Sequence, residues 1–249
     1  MDRSDDSGGP DATDADRLEP AWRFGRGNLE FDRLSFFTDA VFAIAMTLLV
    51  VAIEPPTLTG DPSSPSVMGD ALQEIWPEIF SFFLAFLLLG RYWLAHHAFG
   101  STLDHVDRTL AGLTLCYLAF VAFLPFPTAL VGEYDSNALS SMLFAACLTI
   151  ISGLETVMLW HAMRSGLTRT SPVPRPAYRY ALLQSTLPTL LLAASIPIAF
   201  ASTVAATVMW ILAIPLGRVV ERLFPDGARA YARAFRPDRA TAPGDADPS

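Results

Sequence analysis

Six apolar runs alternate with short polar stretches along the chain, at 35–54, 75–97, 109–131, 138–163, 178–201 and 203–223. At 1.5 Å of rise per residue, about twenty residues cross a hydrocarbon layer of about 30 Å, so each run is long enough for a transmembrane helix. The last two runs are joined by almost no loop, which predicts a tight hairpin. Prolines interrupt three of them: Pro125 and Pro127 in the third, Pro188 and Pro197 in the fifth, and Pro215 in the sixth. Such breaks kink a helix where neighbouring groups take up the freed carbonyls. The predicted fold class is all-α, a polytopic membrane protein with six transmembrane helices. The flanks differ in composition. Residues 1–28 are rich in Asp, Gly, Ser and Arg and predict a disordered tail. Residues 225–249 return to Pro, Asp, Ala and Arg and read as a second tail, leaving a six-helix unit over 29–224.

Charge then sets the orientation. The connections at 55–74 and 132–137 carry Asp61, Asp70, Glu74, Glu133 and Asp135 and no arginine, and the turn near Ser202 is uncharged. The other side carries Arg23, Arg26, Arg33, Arg108, Arg164, Arg169, Arg175, Arg218, Arg222, Arg229 and Arg233. The positive-inside rule places that side, with both termini, in the cytoplasm and makes this a multi-pass protein of the inner membrane. Arg91, within the second run, lies near enough to that side to snorkel toward it, and the basic stretch from Arg164 to Arg179 is placed to touch anionic lipid.

Composition agrees with a membrane protein. Of 249 residues, 52% are hydrophobic and only 17% charged, against about 25% charged in soluble domains. The mean hydropathy is +0.37. The net charge of -8 arises largely from the polar ends and outer loops, and all basic residues are arginine. No nucleic-acid partner and no cofactor are expected. The first 34 residues show no short apolar core of a cleavable signal peptide. Cys116 and Cys147 fall inside apolar runs and read as packing residues, with no zinc spacing.

The first run carries the most chemistry. It opens with Arg33 and holds a carboxylate, Asp39, just inside; a carboxylate at that depth must be paired or functional. Ile44, Leu48 and Val51 follow at i, i+4 and i+7 and share one stripe of a helix. The stripe either packs against neighbouring helices or forms a narrow hydrophobic constriction in a pore. No second copy of the Arg33–Asp39 pattern occurs, so a pore with several copies of it requires an oligomer.

Three motifs occur in order on these helices: Arg33-x-x-x-Phe37-Thr38-Asp39 with Ala43-Ile44 and Thr47-Leu48; Trp93-Leu94-Ala95-His96-His97; and Leu124-Pro125-Phe126-Pro127-Thr128. Together they resemble the endosomal/lysosomal potassium channel family, the transmembrane protein 175 family, over about residues 30–220. The family signature usually has serine where this chain has Thr38, which keeps the hydroxyl and adds a methyl. The resemblance implies a homotetramer of single six-helix units, a potassium-permeable cation channel and not an enzyme. Its first helix would line the pore, with no selectivity filter of stacked carbonyls. Carried over by position, Ile44 is the main constriction, Leu48 and Val51 add rings further out, and Thr47 is the polar neighbour. A ring of isoleucines blocks ions by dewetting and opens on small helix rotations. Potassium ions are the expected partner, with protons able to leak and membrane lipids around the outside.

At the cytoplasmic mouth, Arg33, Asp39, His96 and His97 are expected to gather, because the first two helices are antiparallel. A hydrogen-bonded cluster including one histidine would neutralise Asp39 and lock the first helix, with Phe37 and Thr38 beside it. Other candidates are weaker. His96, His97, Asp104 and His105 suggest a metal site only loosely, matching no known spacing, and no metal is expected. Glu155 and His161, six apart in the fourth run, do not share one tight face; Glu155 needs a partner and keeps open a proton-coupled transporter as the alternative. Leu130-Val131-Gly132-Glu133-Tyr134 faintly resembles a potassium filter but reads as a turn. An intramembrane enzyme built on His96, His97 and His105 is the third class.

Overall fold

The computed structural model describes residues 24–25 and 29–235. The rest of the expected N-terminal tail, and residues 236–249 of the C-terminal one, lie outside the described residues.

Helix α1 (Leu29–Leu48) continues into a 3-10 turn at Leu49–Ala52. A short outer helix, α2 (Pro65–Glu74), leads into α3 (Trp76–Thr102). Helices α4 (Arg108–Phe123) and α5 (Pro125–Glu133) are consecutive, followed by α6 (Ala138–Arg164) and α7 (Arg175–Ala201). Helices α8 (Thr203–Ala213), α9 (Leu216–Leu223) and α10 (Pro225–Phe235) complete the described chain. Five stretches are long and apolar enough to cross a membrane: Phe31–Ala52, Trp76–Thr102, Arg108–Glu133, Ala138–Arg164 and Arg175–Ala201. A sixth span forms if α8 and α9, bent by 55°, are one unit. The protein is an all-α, multi-pass membrane protein.

Local chemistry explains the boundaries. Asp107 caps α4 by accepting the Leu110 N–H at 2.7 Å, and Asn137 caps α6 through the Leu139 N–H at 2.9 Å. The α7–α8 hairpin turns at Ser202, whose hydroxyl accepts the Ala205 N–H at 3.1 Å. The bend between α8 and α9 falls at Ile214–Pro215, where proline removes a donor. Pro188 and Pro197, by contrast, remain inside α7.

The core is aromatic and lies between the spans. Phe42, Tyr92, Tyr117, Phe144 and Trp210 are fully buried. The Trp210 indole N–H donates to Ser195 at 2.9 Å, tying α8 to α7, and the Tyr92 hydroxyl donates to the Leu148 carbonyl at 3.3 Å, tying α3 to α6. Facing hydroxyls join α6 to α7: Ser152 with Thr189 and Thr156 with Ser185, each at 2.7 Å. Gly132 lets α5 approach α3 closely, since a Cβ there would lie 2.9 Å from the Glu78 Cα.

The connections of the arginine-bearing side meet at one end. Strand β1 (Phe24–Gly25) pairs antiparallel with β2 (His105–Val106), and Leu103 bridges Thr168. The Thr170 hydroxyl donates to the Ala234 carbonyl of α10. Two parts of the expected tails are therefore ordered. Residues 24–25 complete a ribbon, and residues 225–235 form a helix against α7 rather than a tail. Tyr231 sits 6.0 Å from Tyr180 and 4.8 Å from Phe235, ring to ring, a short apolar stripe hidden among Ala and Arg. The second span also runs five residues past its expected end at residue 97, to Thr102.

Candidate functional site

Helix α1 has two faces. Thr38, Phe42, Ala45 and Leu49, spaced by four, three and four, are buried against the rest of the subunit. The opposite face carries Arg33, Phe36, Phe37, Ala40, Ala43, Ile44, Thr47, Leu48 and Val51, all exposed. Ile44 is 58% exposed, Leu48 45% and Val51 71%, so none of the three packs inside its own subunit. Among these side chains, Ala40, Ala43 and Thr47 are small, as helices that approach one another closely in membranes require. The Thr47 hydroxyl is held back on its own helix, donating to the Ile44 carbonyl at 2.8 Å.

At the base of α1, Asp39 accepts a hydrogen bond from the Trp93 indole N–H of α3 at 2.9 Å. A hydrogen bond to a charged group contributes about 1.5–3 kcal/mol, enough to fix the rotation of α1 against α3. Trp93 and His97, four apart on one face of α3, meet in a tilted ring contact at 5.8 Å between centroids. His96, one residue before His97, turns inward and stacks on Tyr117 at 5.2 Å, with Phe42 and Phe99 beside it. Its Nδ1 is buried with no hydrogen-bond partner among the described residues. Asp39, His96 and His97 line one cavity of about 330 Å³, together with Asp32, Ser35 and Thr38. Thr38 is buried, and its hydroxyl donates to the Leu34 carbonyl at 2.9 Å.

This arrangement differs from the expected cluster in its bonding. Asp39 and both histidines are brought together, but the bonded partner of Asp39 is Trp93. Arg33 lies exposed about 120° round α1 from Asp39 at about 100° per residue, and no ion pair joins the two among the described residues. Within the Trp93–His97 motif the residue bonded to Asp39 is the indole donor rather than either imidazole.

The other candidates disperse. His161 pairs with Asp107 at 2.9 Å, joining the end of α6 to the start of α4, a partnership separated by 54 residues. His105 contacts Asp104 at 3.0 Å at the exposed start of β2 and is not among the residues lining the cavity at Asp39. Leu130–Glu133 is the last turn of α5 rather than a loop. Cys147 is buried, whereas Cys116 is exposed on the surface of α4 and so is not a core residue.

A family model described as endosomal/lysosomal potassium channel TMEM175 matches residues 33–125. A potassium channel of Streptomyces collinus is 33% identical over 177 residues, 70% of this chain and 84% of that protein. The chain belongs to the TMEM175 family. Its fold is that of a TMEM175 structure as well. The crystal structure of a lysosomal potassium-selective channel TMEM175 homolog from Chamaesiphon minutus matches with a TM-score of 0.66 at 25% identity, covering 77% of this chain and 98% of that one. Human TMEM175, an endosomal/lysosomal proton channel, is 24% identical over 157 residues, 62% of this chain and 30% of its own length. This chain therefore spans under a third of the human TMEM175 protein. The TMEM175 match from residue 33 takes in the Arg33–Asp39 motif, the Trp93–His97 motif and the open face of α1.

Proposed function

We propose that this protein is a potassium-permeable cation channel in which four copies of α1 surround a central axis. Ile44 forms the main constriction, Leu48 and Val51 add two further rings, and Thr47 supplies a hydroxyl beside the narrowest point. The observation that carries this reading is the open apolar face of α1. It stays uncovered in the single subunit while the opposite face is fully packed. The Streptomyces and Chamaesiphon relatives, a potassium channel and a potassium-selective channel, support potassium as the ion.

Four isoleucines around an axis exclude ions by dewetting rather than by coordination, so conduction follows from a small rotation or separation of the helices. Such rotation is governed at the base by Asp39 and Trp93, with Arg33 and Phe37 on the exposed flank. Selectivity without a carbonyl filter is modest, and the human relative's description as a proton channel supports some proton permeation. Acids on the outer side, such as Asp70 and Glu133, raise the local cation concentration. The arginine-bearing end lies in the cytoplasm, with both termini, and the protein sits in the inner membrane among lipids. Enzyme chemistry and coupled transport are not favoured.

Flux from liposomes tests the reading. Potassium efflux is expected to exceed sodium efflux, and Ile44→Asn to raise it about tenfold or more, as lowering the barrier by about 1.4 kcal/mol would. An Ile44→Asn protein that assembles normally yet conducts no faster than wild type would remove Ile44 as the barrier.

A further inference from the structure

Two charged side chains inside the bundle have no part in the pore: Arg91 of α3 and Glu155 of α6. Both line a second cavity, of about 250 Å³, between α3, α6 and α7, with Gln184 and Ser185 of α7 on its wall and Tyr231 of α10 closing it. No direct ion pair joins them among the described residues. Glu155 Oε1 is buried without a hydrogen-bond partner among the described residues. Arg91 lies over the Tyr92 ring at 5.5 Å, and Tyr92 is itself anchored on α6 through the Leu148 carbonyl. Ser185 is already engaged by Thr156. The wall is thus fixed by its own bonds, and among the described residues the buried polar atom it leaves unpartnered is Glu155 Oε1, in a cavity that the Arg91 cation also lines.

An unpaired carboxylate within the membrane is costly, and the cavity has room for about eight waters at ~30 Å³ each, more than one carboxylate needs. A ligand of a single charge would satisfy one group and leave the other opposed. A ligand carrying both charges on a short linker satisfies both. The cavity lies in the arginine-bearing half of α6, nine residues from Arg164, and Ala98 on its rim is exposed. It is therefore reached from the leaflet and the aqueous phase on that side. Guanidinium is the side chain best matched to phosphate, and a carboxylate is the acceptor that an ammonium requires.

We propose that this cavity binds a phosphoethanolamine group, its phosphate on Arg91 and its ammonium on Glu155. The group comes either as the headgroup of an ethanolamine phospholipid or as the free molecule. The inference is independent of the pore, and its readout is bound ligand rather than flux.

The test uses the full-length protein in nanodiscs containing equal amounts of phosphatidylethanolamine, phosphatidylcholine and phosphatidylglycerol. Lipids retained after release into detergent are counted by native mass spectrometry. Phosphatidylethanolamine is expected at about fivefold or more over each of the others, a preference in the range that one charged contact supplies. Glu155→Gln should abolish the preference. Ala98→Phe, which keeps both charges but fills the space, should abolish it too and guards against a Glu155 variant that fails to fold. In a second arm, calorimetry on delipidated protein measures binding of free O-phosphoethanolamine; binding there without lipid preference assigns the soluble source. Equal retention of the three lipids with no binding of the free molecule overturns the proposal. So does a preference that survives both substitutions.

Discussion

The Asp39–Trp93 bond is the smallest unit that ties α1 to the rest of its subunit, and it makes a specific prediction. Trp93→Phe keeps an aromatic ring near His97 but removes the donor to Asp39. Losing that hydrogen bond to an exposed carboxylate is expected to cost about 0.5–1.5 kcal/mol, read as a lower Tm in detergent. The same substitution frees α1 to rotate and should change the potassium flux. A variant with unchanged Tm and unchanged flux would show that the bond holds nothing. At this scale the sequence was informative about place and less so about bonding. The depth of Asp39 in an apolar run called for a partner, and antiparallel helices named the right stretch of α3. Choosing among Trp93, His96 and His97 depends on helix phase, which places His96 inward against Tyr117 and Trp93 outward beside Asp39. That phase is set by packing, which spacing along one chain does not specify.

Among the elements, helix ends on the arginine-bearing side depend on a residue the sequence reading passed over. Asp107 both caps α4 and pairs with His161 of α6. Asp107→Ala loses cap and pair together, and is expected to lower stability by about 1–3 kcal/mol. Asp107→Asn keeps the cap, so it should cost clearly less in the same thermal melts. Equal losses for the two would mean that the cap contributes nothing. The five long spans, and the bent α8–α9 pair as a candidate sixth, were legible because a bilayer demands long apolar runs, and hydropathy reports these directly. Helix α10 was not, since Tyr231 and Phe235 give too little apolar length, and its order comes from docking on Tyr180 across the fold. The open face of α1 was legible as a stripe. Its exposure was not, because a stripe on one face reads alike whether it is covered or open.

For the whole molecule, the central claim is that the open α1 face meets its own copies around an axis. Native mass spectrometry should therefore give an assembly of four 27.1 kDa chains, and a monomer or dimer as the sole species in lipid would contradict the fourfold pore. The most direct measurement places a thiol at the constriction. In a protein with Cys116 and Cys147 both replaced by serine, Ile44→Cys is compared with Leu190→Cys, which lies exposed on α7. Silver ions, small soft cations that bind thiolates, are added during potassium efflux from liposomes. Efflux through Ile44→Cys is expected to stop while that through Leu190→Cys continues, because only position 44 lies on the ion path. Efflux through Ile44→Cys that continues undiminished in silver would contradict a pore lined by α1.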